Sequence, residues 1–272
     1  MQIIEKINNI IKKNNSLVCV GLDSELSKIP VHLQNEQYPQ FTFNKAIINA
    51  THNLVCAYKP NTAFYEAQGD KGILELKMTC DYLKQNYPEI VIILDAKRAD
   101  IGNTNNGYAT FAFNYLQADA ITLHPYLGQK ALQPFLDNTE KGSIVLCRTS
   151  NPGSEEFQNL ETDGKKIFQL VAEKVINEWN KNNNCLLVLG ATYPEELKSI
   201  RSLSNKIFFL VPGIGAQGGD LEKTLKAGLN IEKSGLIINS SRGIIFADST
   251  QNFANIAKVE TEKLRNEINK YR

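Results

Sequence analysis

The chain has 272 residues, 42% of them hydrophobic, and its 30 Lys and Arg nearly balance its 29 Asp and Glu, which leaves a net charge of +1. This balance creates no overall field of the kind that attracts nucleic acid or an anionic membrane, so we expect neither as a partner. No apolar run is long enough to cross a bilayer and no linker divides the sequence, which favours one domain over residues 1–272.

The N-terminal segment predicts an amphipathic helix, because isoleucines recur on one helical face at Ile3, Ile4, Ile7, Ile10 and Ile11. Charged residues interrupt this segment too often for a secretion signal. The cysteines form no CxxC pair, and most of them lie within apolar runs. We therefore expect reduced thiols and a cytoplasmic protein.

Eight short apolar runs, each followed by turn or charged residues, predict buried parallel strands. They occupy residues 17–23, 54–60, 90–97, 118–126, 143–150, 185–191, 206–213 and 235–241. Helical patterns fill the intervals at about 44–52, 70–86, 104–117, 128–137, 163–180, 194–203, 219–228 and 251–270, whereas 24–43 is typical of an extended connection. Eight βα units, with no G-x-G-x-x-G after the first strand, predict a closed (β/α)8 TIM barrel with an additional N-terminal helix rather than an open sheet.

Charged residues concentrate at the predicted C-terminal ends of the strands, where barrels of this type place their catalytic groups. Asp95 and Lys97 follow an apolar run and share one face by strand periodicity. Lys59 ends the preceding strand and should lie beside them. The charge pattern alone is equally compatible with a salt bridge at a strand end.

The string Asp95-Ala-Lys97-Arg98-Ala-Asp100-Ile101-Gly102-Asn103-Thr104 resembles the hallmark stretch of the orotidine 5'-phosphate decarboxylase family, in its longer bacterial-type branch. Other segments fall in the family's order: 21–23, 59–61, 149–153, 212–219 and 241–243. The resemblance implies a carboxy-lyase that converts orotidine 5'-monophosphate (OMP) to UMP in pyrimidine biosynthesis, without a cofactor.

By this resemblance Lys59, Asp95, Lys97 and Asp100 form the catalytic array, and Asp100 reaches the neighbouring site of a homodimer, accompanied by Ile101 and Thr104. Loss of CO2 from C6 of OMP leaves charge on a carbon that the pyrimidine ring cannot readily delocalise, so fixed charges must stabilise it. Lys97 would stabilise this carbanion and protonate it, and the two carboxylates would keep Lys97 charged.

Two loops after the last strands are placed where barrels commonly bind phosphate. The glycine-rich loop 213–219 and Ser241-Arg242-Gly243 supply backbone groups and a guanidinium, although Ser241 stands where many family members have Gly. The resemblance implies binding of the ribose by Asp23, which alone is equally compatible with a turn cap, and of the pyrimidine by Thr149 or Ser150. The full set of implied substrate-binding residues is Asp23, Asn61, Ile101, Thr104, Thr149, Ser150, Pro212, Gln217 and Arg242.

No His, Cys and carboxylate cluster has the spacing of metal ligands, so we expect no metal. His124 ends the fourth strand, and this position is compatible with either a general base or a hydrogen-bonded structural histidine.

Two other functions fit parts of the pattern. A sugar-phosphate decarboxylase or aldolase of the same superfamily shares the DxKxxD strand but needs Mg²⁺, held by an acidic residue where this chain has Lys59. A divalent metal would be repelled by that cation. A catalytically silent nucleotide-binding barrel would keep the phosphate loops but would have no need for carboxylates around Lys97.

Overall fold

Eight parallel strands hydrogen-bond side by side into a closed barrel in a computed structural model of the chain, which describes residues 1–214 and 219–272. The barrel strands are β1 (Val18–Leu22), β2 (Ala57–Pro60), β3 (Val91–Arg98), β4 (Ala120–Leu123), β5 (Gly142–Arg148), β8 (Cys185–Leu189), β9 (Phe209–Val211) and β10 (Leu236–Ser240). They pair in this order, and β10 closes on β1. The predicted TIM barrel is confirmed, because short runs of buried Val, Ile and Leu supply both the interior of the barrel and its contact with the helices.

Helices cover the outside of the barrel and lie close to the predicted ranges. The α-helices are α1 (Ile3–Asn14), α2 (Val31–Gln34), α3 (Pro39–Thr51), α4 (Thr62–Glu66), α5 (Gly69–Asn86), α6 (Gly102–Ala109), α7 (Gly128–Leu136), α8 (Glu155–Gln158), α9 (Ile167–Lys174), α10 (Pro194–Leu203), α11 (Leu221–Gly228), α12 (Arg242–Ile245) and α13 (Phe253–Asn269). Helices α6 and α9 continue as π-helical turns at Thr110–Tyr115 and Val175–Trp179. Within the described residues, no helix combines the length and the apolar character that a membrane crossing requires.

Two local predictions are wrong. Segment 24–43 is not extended: it contains a 3₁₀ turn at Leu26–Lys28, then α2, and α3 already begins at Pro39, which occupies the first turn of the helix, where a missing N–H costs nothing. The helix predicted from 163 begins only at Ile167. The residues before it form a two-stranded antiparallel ribbon, in which β6 (Glu161–Thr162) pairs with β7 (Lys165–Lys166).

Helix α1 lies across the N-terminal ends of the strands, at the end of the barrel opposite the predicted site. Its residues Ile3, Ile7, Ile10 and Ile11 are buried, as the helical spacing predicts, and Ile4 is partly buried. Lys6 forms an ion pair with Asp119, the residue just before β4, at 2.8 Å. The additional helix therefore covers the bottom of the barrel.

An irregularity in β3 sets the geometry of the opposite end. Leu94 of β3 pairs with Ile121 of β4, and the next pair joins Arg98 to Leu123, so β3 has more residues between these two pairs than β4 has. The extra residues form a bulge, and Lys97 within it has a left-handed backbone with φ of 46°. Bulges of this kind re-aim side chains and are frequent next to functional sites.

Candidate active site

The C-terminal ends of the barrel strands surround a cavity of about 500 Å³. This volume lies within the range of about 300–1,000 Å³ typical of small-molecule sites. The residues predicted from the sequence that line it are Asp23, Lys59, Asn61, Asp95, Lys97, Thr149, Ser150, Pro212 and Arg242. The closed barrel brings together residues that are more than two hundred positions apart in the sequence because every parallel strand ends at this mouth.

Asp95 joins two lysines in the wall of the cavity. Lys59 Nζ donates to Asp95 Oδ2 at 2.6 Å, and Lys97 Nζ donates to Asp95 Oδ1 at 2.6 Å. Lys59 Nζ also lies 3.8 Å from Asp23 Oδ1. Negative and positive groups therefore alternate from Asp23 to Lys97, and Lys59 lies beside Asp95, as expected for the ends of neighbouring strands.

Burial and charge oppose one another in this array. Asp95 is 8% exposed and Lys59 is 4% exposed. Burial by itself would raise the pKa of Asp95, but Lys59 and Lys97 outweigh burial and hold that pKa well below its usual range. Burial would likewise lower the pKa of Lys59, but Asp95 and Asp23 raise it above its usual range. Both groups are therefore charged at neutral pH.

Lys97 is the more accessible of the two lysines, with 51% of its side chain exposed. Its ammonium group contacts Asp95 and faces the cavity that both residues line. The array thus presents one solvent-accessible ammonium group that a buried ion pair holds in place.

The segment after β5 forms another part of the wall through Thr149 and Ser150. Gln158 of α8 accepts a hydrogen bond from the Thr149 backbone N–H at 2.9 Å and donates to Thr149 Oγ1 at 2.8 Å. Arg148, 2% exposed, donates through Nε to Glu196 Oε2 at 2.5 Å and stacks on the ring of Tyr193. Contacts to α8 and to the start of α10 therefore hold this segment.

The ends of β9 and β10 form the part of the wall where the sequence predicts phosphate binding. Pro212 and Arg242 line the cavity there, whereas Gln217 lies outside the described residues. Ser241 Oγ accepts a hydrogen bond from Asn239 Nδ2 at 3.4 Å. A Cβ on Gly21 would lie only 1.8 Å from Ser241 Oγ, so the glycine in β1 makes room for this serine.

The sequence of the chain also matches known proteins. A model of the orotidine 5'-phosphate decarboxylase / HUMPS family matches residues 16–255. The chain belongs to this family. A Cellvibrio japonicus protein named orotidine 5'-phosphate decarboxylase is 48% identical over 271 residues, covering 99% of this chain and 98% of the relative.

Further relatives give the same result at the level of sequence and of structure. A Phocaeicola vulgatus protein of the same name is 48% identical and covers 96% of this chain and 95% of its own length. The solved structure of Leishmania donovani OMP decarboxylase superposes with a TM-score of 0.85 at 37% identity, covering 100% of this chain and 99% of that one. The similarity to decarboxylase-family proteins therefore spans the entire barrel.

Three of the predicted site residues lie outside the cavity of the single chain. Asp100 accepts a hydrogen bond from the Ile101 N–H at 2.7 Å, and Asn105 contacts its backbone on both sides. Ile101 is 64% exposed, and Thr104 is exposed in the first turns of α6. The segment that follows β3 thus projects to the surface.

Several cavity residues were not predicted from the sequence. Leu146 and Val188 line the wall and follow from strand alternation only once the face of each strand is known. Asn239 could have been noticed as a polar residue within the apolar run of β10. Gln158 carries no sequence signal, because its partner Thr149 is nine positions away across an irregular segment.

His124 Nε2 lies 3.2 Å from the backbone oxygen of Ala99, a structural contact, and it does not line the cavity. In residues 1–214 and 219–272, no group of three or more His, Cys, Asp or Glu side chains is arranged to hold a metal ion.

Proposed function

We propose that the chain is a carboxy-lyase that converts OMP to UMP without a cofactor. The observation that carries this proposal is the Lys59–Asp95–Lys97 array. Lys59 is buried, whereas the Lys97 ammonium group is accessible and faces a cavity of about 500 Å³. The names of the relatives, orotidine 5'-phosphate decarboxylase, support the same reaction.

Lys97 is the proposed acid of the reaction. The bond between C6 and the carboxylate breaks, CO2 departs and the electron pair stays on C6. The Lys97 ammonium stabilises this charge and then transfers a proton to C6, which gives UMP and a neutral amine that regains its proton from solvent. The half-exposed side chain of Lys97 supports this return of the proton.

Asp95 and Lys59 are proposed to hold the charge of Lys97 in place before the substrate binds. Asp95 is fixed by Lys59 at one oxygen and by Lys97 at the other, so the array needs no reorganisation as charge develops on C6. Such fixed charges act more strongly in a partly buried site than in water.

The remaining groups fit the parts of a nucleotide. Asp23 Oδ1 is buried without a hydrogen-bond donor among the described residues, which suits a ribose hydroxyl as the donor. We assign the pyrimidine edge to Thr149 and Ser150, with Asn61 beside the array. For the phosphate we assign Arg242, whose forked guanidinium matches phosphate oxygens, together with Gln217. Pro212 is proposed to contact the substrate from the neighbouring part of the cavity wall.

The active form is proposed to be a homodimer in which Asp100 of one chain completes the site of the other, accompanied by Ile101 and Thr104. Their surface positions support this assignment, as do Tyr126 at 88% and Leu127 at 44% exposure in the segment after β4. Exposed apolar side chains near a functional site are typical of protein interfaces.

We also propose that the whole chain works as one barrel domain in the cytoplasm. The five cysteines are free and buried, which fits a reducing compartment.

One assay distinguishes this proposal from the two rival functions. Purified protein is mixed with OMP in excess EDTA, and the change in ultraviolet absorbance reports UMP formation, with Lys97→Ala and Lys174→Ala variants measured in parallel. We expect rapid turnover by the wild type and by Lys174→Ala, whose lysine lies on the exposed surface of α9. Lys97→Ala should lose about 10²–10⁴-fold or more, because it lacks the proposed acid.

Other results would replace the proposal with a specific alternative. Loss of OMP turnover in EDTA would favour a Mg²⁺-dependent enzyme. The positive charge of Lys59 argues against this outcome, because it would repel such a metal. Binding of UMP by titration calorimetry without any turnover of OMP would favour the silent nucleotide-binding barrel. Near-normal turnover by Lys97→Ala would remove Lys97 from the mechanism.

A further inference from the structure

Thr122 of β4 lies opposite the bulge that carries Lys97. Between the paired positions Leu94 and Arg98, β3 has more residues than the facing stretch of β4 from Ile121 to Leu123. The surplus backbone of β3 therefore lacks regular ladder partners at this point. Thr122, 1% exposed, stands between those two β4 positions.

The hydroxyl of Thr122 contacts both ends of this irregular stretch. Thr122 Oγ1 accepts a hydrogen bond from the Lys97 backbone N–H at 2.9 Å. The same oxygen donates to Asp95 Oδ1, also at 2.9 Å. Asp95 Oδ1 is in turn the atom that receives the Lys97 ammonium at 2.6 Å. Backbone, hydroxyl, carboxylate and ammonium thus close a ring around Lys97.

The ring explains how Lys97 keeps a backbone that its residue type rarely adopts. Its φ of 46° lies in the left-handed region, which is unfavourable for a lysine and persists only where surrounding contacts enforce it. Thr122 supplies such a contact to the Lys97 N–H, while Asp95 anchors the far end of the side chain. Without the hydroxyl, the backbone would be free to return towards a regular strand, and the ammonium would move with it.

We propose that Thr122 is a positioning residue that sets the location of the Lys97 ammonium in the active site. This inference rests on the proposed function, because it assigns to Thr122 the placement of the group that protonates C6. Thr122 touches no substrate in this scheme. It acts through the Lys97 backbone and through Asp95, whose second oxygen remains bound to Lys59.

Steady-state kinetics with OMP test the inference in Thr122→Val, Thr122→Ala and Thr122→Ser. Valine and alanine both remove the hydroxyl, and alanine avoids a new methyl group against the Lys97 amide, so it carries the test if the valine variant fails to fold. We expect kcat to fall about 10²-fold in both, the size of effect that a small misplacement of a reacting group produces. KM and the affinity for UMP should stay within a few-fold of the wild type, and Thr122→Ser should recover most of kcat.

Thr261→Val is the matched control. Thr261 is also a buried threonine, but its hydroxyl donates to the Ala257 oxygen within α13, at 2.7 Å. This variant should keep the wild-type kcat, which separates a positioning effect from the loss of any buried hydroxyl.

The outcomes distinguish this inference from the proposed function. Active wild type together with equally active Thr122→Val and Thr122→Ala would overturn the inference alone. A fall in kcat that Thr122→Ser does not recover, or a loss seen in KM rather than kcat, would also overturn it. A folded wild type without OMP turnover would overturn the proposed function, and the inference with it.

Discussion

Asp95 accepts hydrogen bonds from Lys59, Lys97 and Thr122, and this set of donors explains why a nearly buried carboxylate stays ionised. Burial favours its neutral form, but the two adjacent cations favour the charged form more strongly. The direction of each pKa shift in the array has a consequence for stability. Asp95 has a lowered pKa, and Lys59 has a raised one.

The contribution of this pair to stability should be complete between the two ordinary pKa values, 3.8 for Asp and 10.5 for Lys. The folded pKa of Asp95 is depressed, so its contribution is present above 3.8 and is lost as the pH falls through the depressed value. The folded pKa of Lys59 is raised, so its contribution is present below 10.5 and is lost as the pH rises through the raised value.

Replacing Lys59 with Met tests this interpretation at the level of the residue. The variant leaves a buried carboxylate with one cation fewer, and we expect the free energy of unfolding at pH 7 to fall by about 3 kcal/mol. The pKa of Asp95 should rise towards its ordinary value, so the variant should lose less stability than the wild type as the pH falls below 3.8. Urea unfolding at a series of pH values from acid to neutral measures both effects.

Lys174→Met is the control for this measurement, because Lys174 and Glu178 form an exposed pair with side chains 55% and 50% accessible. It should change the unfolding free energy by less than about 0.5 kcal/mol and leave the acid limb unchanged. If Lys59→Met behaved like Lys174→Met, the array would not be a buried ion pair in solution.

At the level of elements, the segment after β5 depends on its neighbour α10. Arg148 ends β5 with its guanidinium buried between Glu196 and the ring of Tyr193, 3.7 Å from the ring centroid. The same guanidinium donates to Ser154 and Gln158, and Gln158 contacts Thr149 at the cavity. One buried arginine therefore joins the strand, the short helix α8 and the start of α10.

Arg148→Met should loosen this junction. Removing the arginine leaves Glu196 without its buried partner, and we expect the unfolding free energy to fall by about 3–5 kcal/mol. KM for OMP should rise more than kcat falls, because Gln158 and Thr149 lose their support while the lysine array is untouched. Urea unfolding and steady-state kinetics report the two effects.

A double variant, Arg148→Met with Glu196→Leu, provides the internal comparison. It removes both charges and should regain part of the lost stability, because no carboxylate is then left without its buried arginine partner. A double variant that was less stable than Arg148→Met by the full cost of a second substitution would mean that the two side chains act independently.

At the level of the whole molecule, three of the predicted site residues that the structure describes do not line the cavity of their own chain. Asp100, Ile101 and Thr104 lie at the surface beyond β3, so in the proposed dimer each chain supplies one site with its lysines and the other with Asp100. A symmetric dimer makes this exchange reciprocal, since the same surface of each chain contacts its partner.

Mixing two inactive variants tests the exchange. Lys97→Ala and Asp100→Ala homodimers should each be nearly inactive, because every site in them lacks one group. After subunits have exchanged, half of the dimers are mixed and each mixed dimer has one intact site, so activity should recover to about a quarter of the wild-type value. Failure to recover, with exchange demonstrated by native mass spectrometry, would place Asp100 and Lys97 in the site of the same chain.

The sequence by itself determined the barrel and the lysine–carboxylate array. Local runs of Val, Ile and Leu indicate buried strands, and the alternation of these strands with helical patterns leaves few topologies to consider. Because consecutive strands of βα units are neighbours, Lys59 had to lie beside Asp95, and it does. The spacing of the isoleucines also predicted helix α1, but it did not predict that this helix lies beneath the barrel.

Only the tertiary structure decided the partners of the buried polar groups. Thr122 meets Asp95 from 27 residues away, and Arg148 meets Glu196 from 48 residues away. The bulge that turns Lys97 into the left-handed region arises from the pairing of β3 with β4, which strand periodicity alone does not contain. Helix α2 and the start of α3, which lie in segment 24–43, were missed for a related reason: packing rather than a local pattern stabilises these helical turns. Apolar periodicity is a local property that can be read from the sequence. A polar group needs a protein partner only once closure of the barrel has removed it from water, and that partner can come from a distant part of the chain.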